Sequence, residues 1–380
     1  MGILYRRVLK PILFQFSPDT VHDFFTVVGE TAGKFAFSRW LLGVFYNYKS
    51  KETPLSARTC AETRRHLAAR SHLGADISKR VDGITYRTPV MLSAGFDPDG
   101  RLTQILPSLS FGGEEIGSVT AHLTEGNPRP HFTRLIRNKS IVVYKGLRNE
   151  GVDALINKLS HTSRIPDFVL GVSIARTNTA AASVSVEAGI SDYVESFKKL
   201  NEAGIGDYYA INISCPNAHL GEAFTDPTLL SQLLPRLRAV PCKKPVYIKM
   251  PINISWELFS ELADIADAND VQGLIIGNVN KNYDELEHPE DAPKEFRGGL
   301  SGAPTFARSN LLISQTRARY GDRFTIIGVG GILTADDAME KFAAGADLVE
   351  LVTGMIFNGP GLIKEICERY AIETRRCETR

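Results

Sequence analysis

Several features that mark common protein classes are scarce or absent. There are 5 cysteines in 380 residues, an odd number without paired spacing, and no C-x-x-C or H-x-x-x-H pattern occurs. That argues against a disulfide framework or a structural zinc site and favours a reducing compartment. Long hydrophobic runs are missing too. The longest aromatic-aliphatic stretch, Trp40 to Tyr46, falls far short of the roughly 20 residues a membrane-spanning helix needs. Met1 to Gln15 carries Arg6, Arg7 and Lys10 but no clean apolar core with a small-residue cleavage site, so no secretory signal is read. Net charge is nearly absent at +1, yet it is unevenly spread. Residues 1–80 hold 13 Lys+Arg against 6 Asp+Glu, and the remainder holds 31 against 37. A basic front end on an acidic body suits an anionic partner for the front end, or a solvated basic linker.

What is present is ordinary for a globular protein. Hydrophobic residues make up 43% and charged residues 23%, which excludes wholesale disorder. Residues 1–50 read as helical, with Ser17-Pro18 as an N-cap and first-turn proline. Val21, Phe24, Phe25 and Val28 then repeat at helical spacing, and a second apolar patch runs from Phe35 to Phe45. Residues 51–79 look like a basic connector. From 80 to 380, short apolar runs alternate with amphipathic helices. The runs are Val90–Ala94, Glu114–Val119, Val169–Ile174, Tyr208–Ser214, Val246–Met250, Gly273–Gly277, Thr325–Val329 and Leu348–Val352. Asp226-Pro227, Ser255 and Thr334-Ala-Asp-Asp337 supply helix starts. Eight continuous apolar strands separated by helices predict an α/β fold, a (β/α)8 TIM barrel with an N-terminal helical extension. The competing open sheet usually carries G-x-G-x-x-G after its first strand, and Ala94-Gly-Phe-Asp97 does not match it.

Barrel chemistry sits at the C-terminal strand ends, and here those ends are polar. Gly328-Val-Gly-Gly-Ile332 after the seventh strand, Thr353-Gly354 after the eighth and Gly299-Leu-Ser-Gly302 form glycine loops. Such loops let main-chain N–H groups approach a phosphate, although tight turns alone would also use glycine. Lys249 ends an apolar strand, where it needs an anion or ligand, or must snorkel to the barrel mouth. Cys215 lies in Asn212-Ile-Ser-Cys-Pro-Asn217. A thiol there can take a proton, and flanking amides can hold the edge of a planar substrate. A lone cysteine can equally be apolar filler.

Several of these segments together resemble the dihydroorotate dehydrogenases. They are Ser93-Ala-Gly-Phe-Asp97, Glu115-Ile-Gly-Ser-Val-Thr120 with Gly126-Asn-Pro-Arg-Pro130, Ile211 to Asn217, Gly298-Gly-Leu-Ser-Gly302, Ile327 to Ile332 and Phe357 to Ile366. The resemblance is to the class 2, membrane-associated, quinone-reducing branch, from near Tyr5 almost to the C-terminus. It implies FMN as cofactor and oxidation of dihydroorotate to orotate in pyrimidine biosynthesis. One ring carbon loses a proton to a base while hydride leaves its neighbour for the flavin. It also implies FMN contacts from Ser93, Ala94, Gly95, Gly117, Ser118, Asn212, Lys249, Ser301, Gly302, Gly330, Gly331 and Thr353, with Lys249 offsetting charge on the reduced flavin. Cys215 is implied as the base, a class 1 choice where class 2 uses serine. Asn212, Asn217 and Asn278 are the implied substrate amides. No metal is expected.

The chain departs from the family pattern at the substrate end. Pro98 stands where the family has a lysine. Val143 and Ser173 stand for asparagines, and Val279 for a threonine. Lys145 or Arg148 could replace the lost cation. Two further readings therefore stand beside the first: an FMN oxidoreductase acting on another planar ring, and a flavin-binding protein of low activity. A tRNA-modifying dihydrouridine synthase would carry a basic C-terminal domain, whereas residues 81–380 are net acidic, so no nucleic-acid partner is expected. The helical front end is expected to lie on a membrane surface and lead a quinone to the flavin. The resemblance begins too near Met1 for a mitochondrial presequence. The expected address is therefore the cytoplasmic side of a bacterial inner membrane, as a peripheral protein.

Overall fold

The computed structural model describes residues 2–49, 74–178, 185–214, 223–295 and 298–378. Most of the expected connector, and both Cys215 and Asn217, lie outside the described residues. Eight parallel strands close into a barrel. They are β1 (Val90–Leu92), β2 (Gly113–Val119), β3 (Val169–Ile174), β4 (Tyr208–Asn212), β5 (Val246–Met250), β6 (Gly273–Ile276), β7 (Thr325–Val329) and β8 (Leu348–Leu351). Each pairs with its sequence neighbours, and β8 returns to β1. All eight expected strands form. Four of them end earlier than their apolar runs: Ser93 and Ala94, Ile213 and Ser214, Gly277, and Val352 leave the ladder. Ser93, Ala94 and Gly277 line the cavity at the barrel mouth.

Helix starts follow their capping chemistry. Ser17 accepts the Thr20 N–H at 3.2 Å and opens α1 (Pro18–Gly33). Asp226 accepts the Thr228 and Leu229 N–H groups and opens the helix Pro227–Arg238. Thr334 and Asp337 form a reciprocal capping box before Ala335–Ala343. The main core lies between the strands and the surrounding helices, with Ile116, Val172, Ile211, Ile248 and Leu274 buried there. Inside the barrel, Met91, Tyr208, Tyr247, Ile275 and Ile327 pack with Tyr86 of a β-hairpin formed by Lys79–Val81 and Ile84–Tyr86. Asp82 in its turn accepts the Tyr247 hydroxyl at 2.7 Å. The hairpin therefore packs into the bottom of the barrel, and the opposite, C-terminal end is left for ligands.

Two elements cover that end. An antiparallel three-stranded sheet joins Phe132–Leu135, Ser140–Val143 and Gly299–Gly302. The second is the N-terminal unit: short helical pieces Gly2–Leu4, Tyr5–Leu9 and Lys10–Leu13, then α1, then α2 (Ala36–Tyr46). It is tied to the mouth by specific contacts. The Tyr5 hydroxyl donates to the Ile356 carbonyl at 2.6 Å, and Glu30 accepts Arg101 Nε at 2.8 Å. The Asp19 carboxylate accepts the His131 N–H at 3.2 Å.

Candidate active site

A cavity of about 780 Å3 runs from the N-terminal helices to the barrel mouth. At its deep end, Ser93, Ala94, Gly95, Gly117, Ser118, Asn212, Lys249 and Asn278 line the wall, and Ser301, Gly302, Gly330, Gly331 and Thr353 line the glycine loops. Every described residue that the sequence singled out for cofactor or substrate binding thus faces one space. Seven different strands or their following loops contribute, which is the usual economy of a barrel site.

The polar wall is a connected network. Asn212, at the end of β4, donates to the Ser118 hydroxyl at 2.8 Å, and Ser118 pairs with Ser173 at 2.7 Å. Ser173 is fully buried and serves this network. Asn278 donates to the Ser214 hydroxyl at 2.7 Å, and Ser214 donates to the Lys249 carbonyl at 2.9 Å. Thr353 donates to the Ser301 hydroxyl at 2.8 Å. Amides locked this way present fixed groups to a ligand.

Lys249 does not snorkel. It is 5% exposed and forms an ion pair with Glu115 at 2.8 Å, with Glu350 at 3.9 Å and the Ser93 hydroxyl at 3.3 Å. Burial pulls the Lys249 pKa down, but the two carboxylates outweigh it and hold the ammonium charged. Burial and the neighbouring Glu115 charge push the Glu350 carboxyl up. Sequence reasoning passed over both glutamates. The available signal was acidic residues inside two runs read as buried strands, Glu114 and Glu115 in β2 and Glu350 in β8. It also missed His22. The His22 ring sits 5.0 Å from that of Phe96, and its Nε2 lies 2.8 Å from the Phe96 carbonyl.

The glycine loops can take a phosphate because nothing larger than hydrogen fits on their Cα atoms. A Cβ at Gly302 would lie 2.3 Å from the Lys139 carbonyl oxygen, one at Gly330 2.6 Å from Thr305 Oγ1, and one at Gly331 2.4 Å from Phe306 Cβ. All three adopt positive φ. Together with the buried ammonium and amides, this cradle fits a flavin mononucleotide: a phosphate at the glycines and a polar ring edge at Asn212 and Lys249. Three of the four positions that depart from the family pattern lie on the same cavity, and Ser173 does not. Pro98, Val143 and Val279 give the cavity apolar walls there, with Lys145 and Arg148 also lining it. Among the described residues, no group of three or more His, Cys, Asp or Glu side chains is placed to hold a metal.

These features define a barrel oxidoreductase site rather than a dinucleotide fold. The dihydroorotate dehydrogenase family pattern matches residues 77–372. Proteins named dihydroorotate dehydrogenase (quinone) from Brucella ovis and Brucella suis are 34% identical over 298 residues, covering 76% of this chain and 79% of theirs. Two crystal structures of dihydroorotate dehydrogenase from Eimeria tenella are similar in fold. The complex with ferulenol has a TM-score of 0.74 at 24% identity, over 95% of this chain and 93% of that one. The ligand-free form has a TM-score of 0.71 at 26% identity, over 80% and 88%. The chain belongs to the dihydroorotate dehydrogenase family, whose members are FMN flavoproteins.

Proposed function

We propose that the protein oxidises dihydroorotate to orotate and passes the electrons to a quinone that approaches between the N-terminal helices. The observation that carries this reading is the continuity of the cavity. It joins Val21, Phe24, Phe25 and Leu42 on α1 and α2 to Gly330, Asn212 and Lys249 at the barrel mouth. An apolar passage suits a lipid-soluble acceptor, and the polar end suits a cofactor and a ring substrate.

Ser93, Ala94, Gly95, Gly117, Ser118, Asn212, Lys249, Ser301, Gly302, Gly330, Gly331 and Thr353 would hold FMN, which supplies the two-electron acceptor. Asn212, Asn217 and Asn278 hold the polar edge of the substrate ring. Cys215 takes a proton from a ring carbon. Lys249, kept charged by Glu115, stabilises negative charge that develops near it. The covering sheet and α1 keep water from the reacting ring.

Stopped-flow spectroscopy of the FMN-loaded protein tests the reading. Dihydroorotate should bleach the flavin absorbance, an added quinone should restore it, and Cys215→Ala should slow bleaching at least ~10²-fold with FMN still bound. Absence of bleaching by dihydroorotate, with bleaching by another planar ring, would favour the second reading. The apolar walls at Pro98, Val143 and Val279 support that alternative.

The finer address is also a proposal: a peripheral protein on the cytoplasmic face of a bacterial inner membrane. No helix among the described residues is long and apolar enough to cross a membrane. Support comes from Phe37 and Trp40 on α2, exposed by 70% and 63%, with Arg6, Arg7, Lys10, Lys34 and Arg39 in the same unit.

A further inference from the structure

The two buried lysines among the described residues are both compensated, whereas a half-buried one at the cavity is not. Lys249 meets Glu115 at 2.8 Å. Lys341 donates to Ser309 Oγ at 3.0 Å and Asn310 Oδ1 at 2.7 Å. Lys145 also lines the cavity, but its ammonium reaches only the Gly95 carbonyl, at a long 3.4 Å, and stands 5.8 Å from the Phe132 ring centroid. It forms no ion pair among the described residues. Burial lowers its pKa to about 8, and the nearby Arg148 adds repulsion, although Asp99, Asp97 and Asp23 oppose both at a distance.

Its backbone is held. The Tyr144 N–H donates to the His131 carbonyl at 2.7 Å, the Asn127 N–H to the Lys145 carbonyl at 3.1 Å, and the Asn178 side chain to the Gly146 carbonyl at 3.0 Å. The loop that carries Lys145 is therefore held, its ammonium lies on the wall of a ligand space with one long hydrogen bond, and such a cation is stabilised by an anion.

Three ligands share the cavity in the reading above. The phosphate cradle lies elsewhere. Gly302 pairs with Ser140, at the far end of the strand that precedes Lys145. Three residues of strand separate Ser140 from Val143, about 10 Å at the usual rise. A quinone is neutral. The remaining anion is the carboxylate of the substrate ring, and the walls at Pro98 and Val143 offer it no charge.

Resting on the proposed function, we infer that Lys145 binds the substrate carboxylate and makes the site select an anionic ring over a neutral one. This assigns Lys145 as the specificity residue of the pocket.

The test is a titration of the oxidised FMN-loaded protein, read by the change in flavin absorption, with orotate and with uracil, its counterpart lacking the carboxylate. Lys145→Met should weaken orotate about 10- to 100-fold and leave uracil unchanged. Lys145→Gln, which keeps a donor for the Gly95 carbonyl, should weaken orotate similarly and serves if the methionine variant does not fold. Lys145→Arg should recover part of the affinity. Orotate binding to either uncharged variant as to the parent would overturn the inference while leaving the proposed function standing. Failure of the parent protein to bind orotate at millimolar concentration would overturn the proposed function, and this inference with it.

Discussion

At the residue scale, the site turns on how a few buried charges are balanced. Lys249 stays charged because Glu115 lies against it, whereas Glu350, at 3.9 Å from the same ammonium, is left as the weaker partner. Its carboxyl pKa is pushed up to about 8, first by burial and then by Glu115, with Lys249 opposing. A raised carboxyl binds more protons in the folded than in the unfolded state between the ordinary glutamate value of about 4.3 and its folded value. Its contribution to stability is complete below that window and is lost as pH rises through about 8. Glu114 adds a trend of the same sign, since burial also raises its carboxyl and both its oxygens lack a hydrogen-bond partner among the described residues. Glu350→Gln should therefore flatten, without abolishing, the fall in thermal midpoint between pH 5 and pH 9, which differential scanning calorimetry would measure. An unchanged slope would mean that Glu350 does not titrate in this window. The pairing was hidden in the sequence because Glu115 and Lys249 are 134 positions apart. Only barrel closure brings β2 and β5 to face each other.

At the element scale, the strands and helix starts were legible because each is a local pattern. A continuous apolar run buried on both faces and a capping residue are visible without knowing the partner. The antiparallel pieces were not legible. Lys79–Val81, Ile84–Tyr86 and Ser140–Val143 are three or four residues long, too short for a periodic signal. Gly299–Gly302 read as a phosphate loop, and it is also a strand paired with Ser140–Val143. Its glycines are compatible with both roles because a close-packed edge strand and a ligand cradle each demand a missing side chain. Glycine loops give a paired prediction. Gly331→Ala places a methyl 2.4 Å from Phe306 Cβ at φ +74°, whereas Gly204→Ala at φ +70° meets nothing within 4 Å. Both carry backbone strain of roughly 1 kcal/mol. The first should in addition lose bound FMN, measured as flavin released on gel filtration, while the second should retain it.

At the scale of the whole molecule, the N-terminal unit lines the outer part of the cavity that runs to the barrel mouth. Its apolar residues split between two environments. Val21 and Leu42 face the cavity, while Phe37 and Trp40 face outward. Full-length protein with Phe37→Glu and Trp40→Glu should sediment less with anionic phospholipid vesicles than the parent protein and should reduce a soluble electron acceptor as well as the parent does. Equal sedimentation would remove this surface from membrane contact. The sequence by itself determined the barrel, the loops at its mouth and the helical character of the front end, because apolar periodicity, caps and glycines act over one or two turns of chain. Tertiary structure alone decided that the front end would cap the mouth and complete the cavity, that Glu115 would neutralise Lys249, and that Lys145 would line the cavity without an ion-pair partner among the described residues. Those outcomes depend on contacts between segments tens to hundreds of residues apart, and no local pattern records which buried charge will meet which.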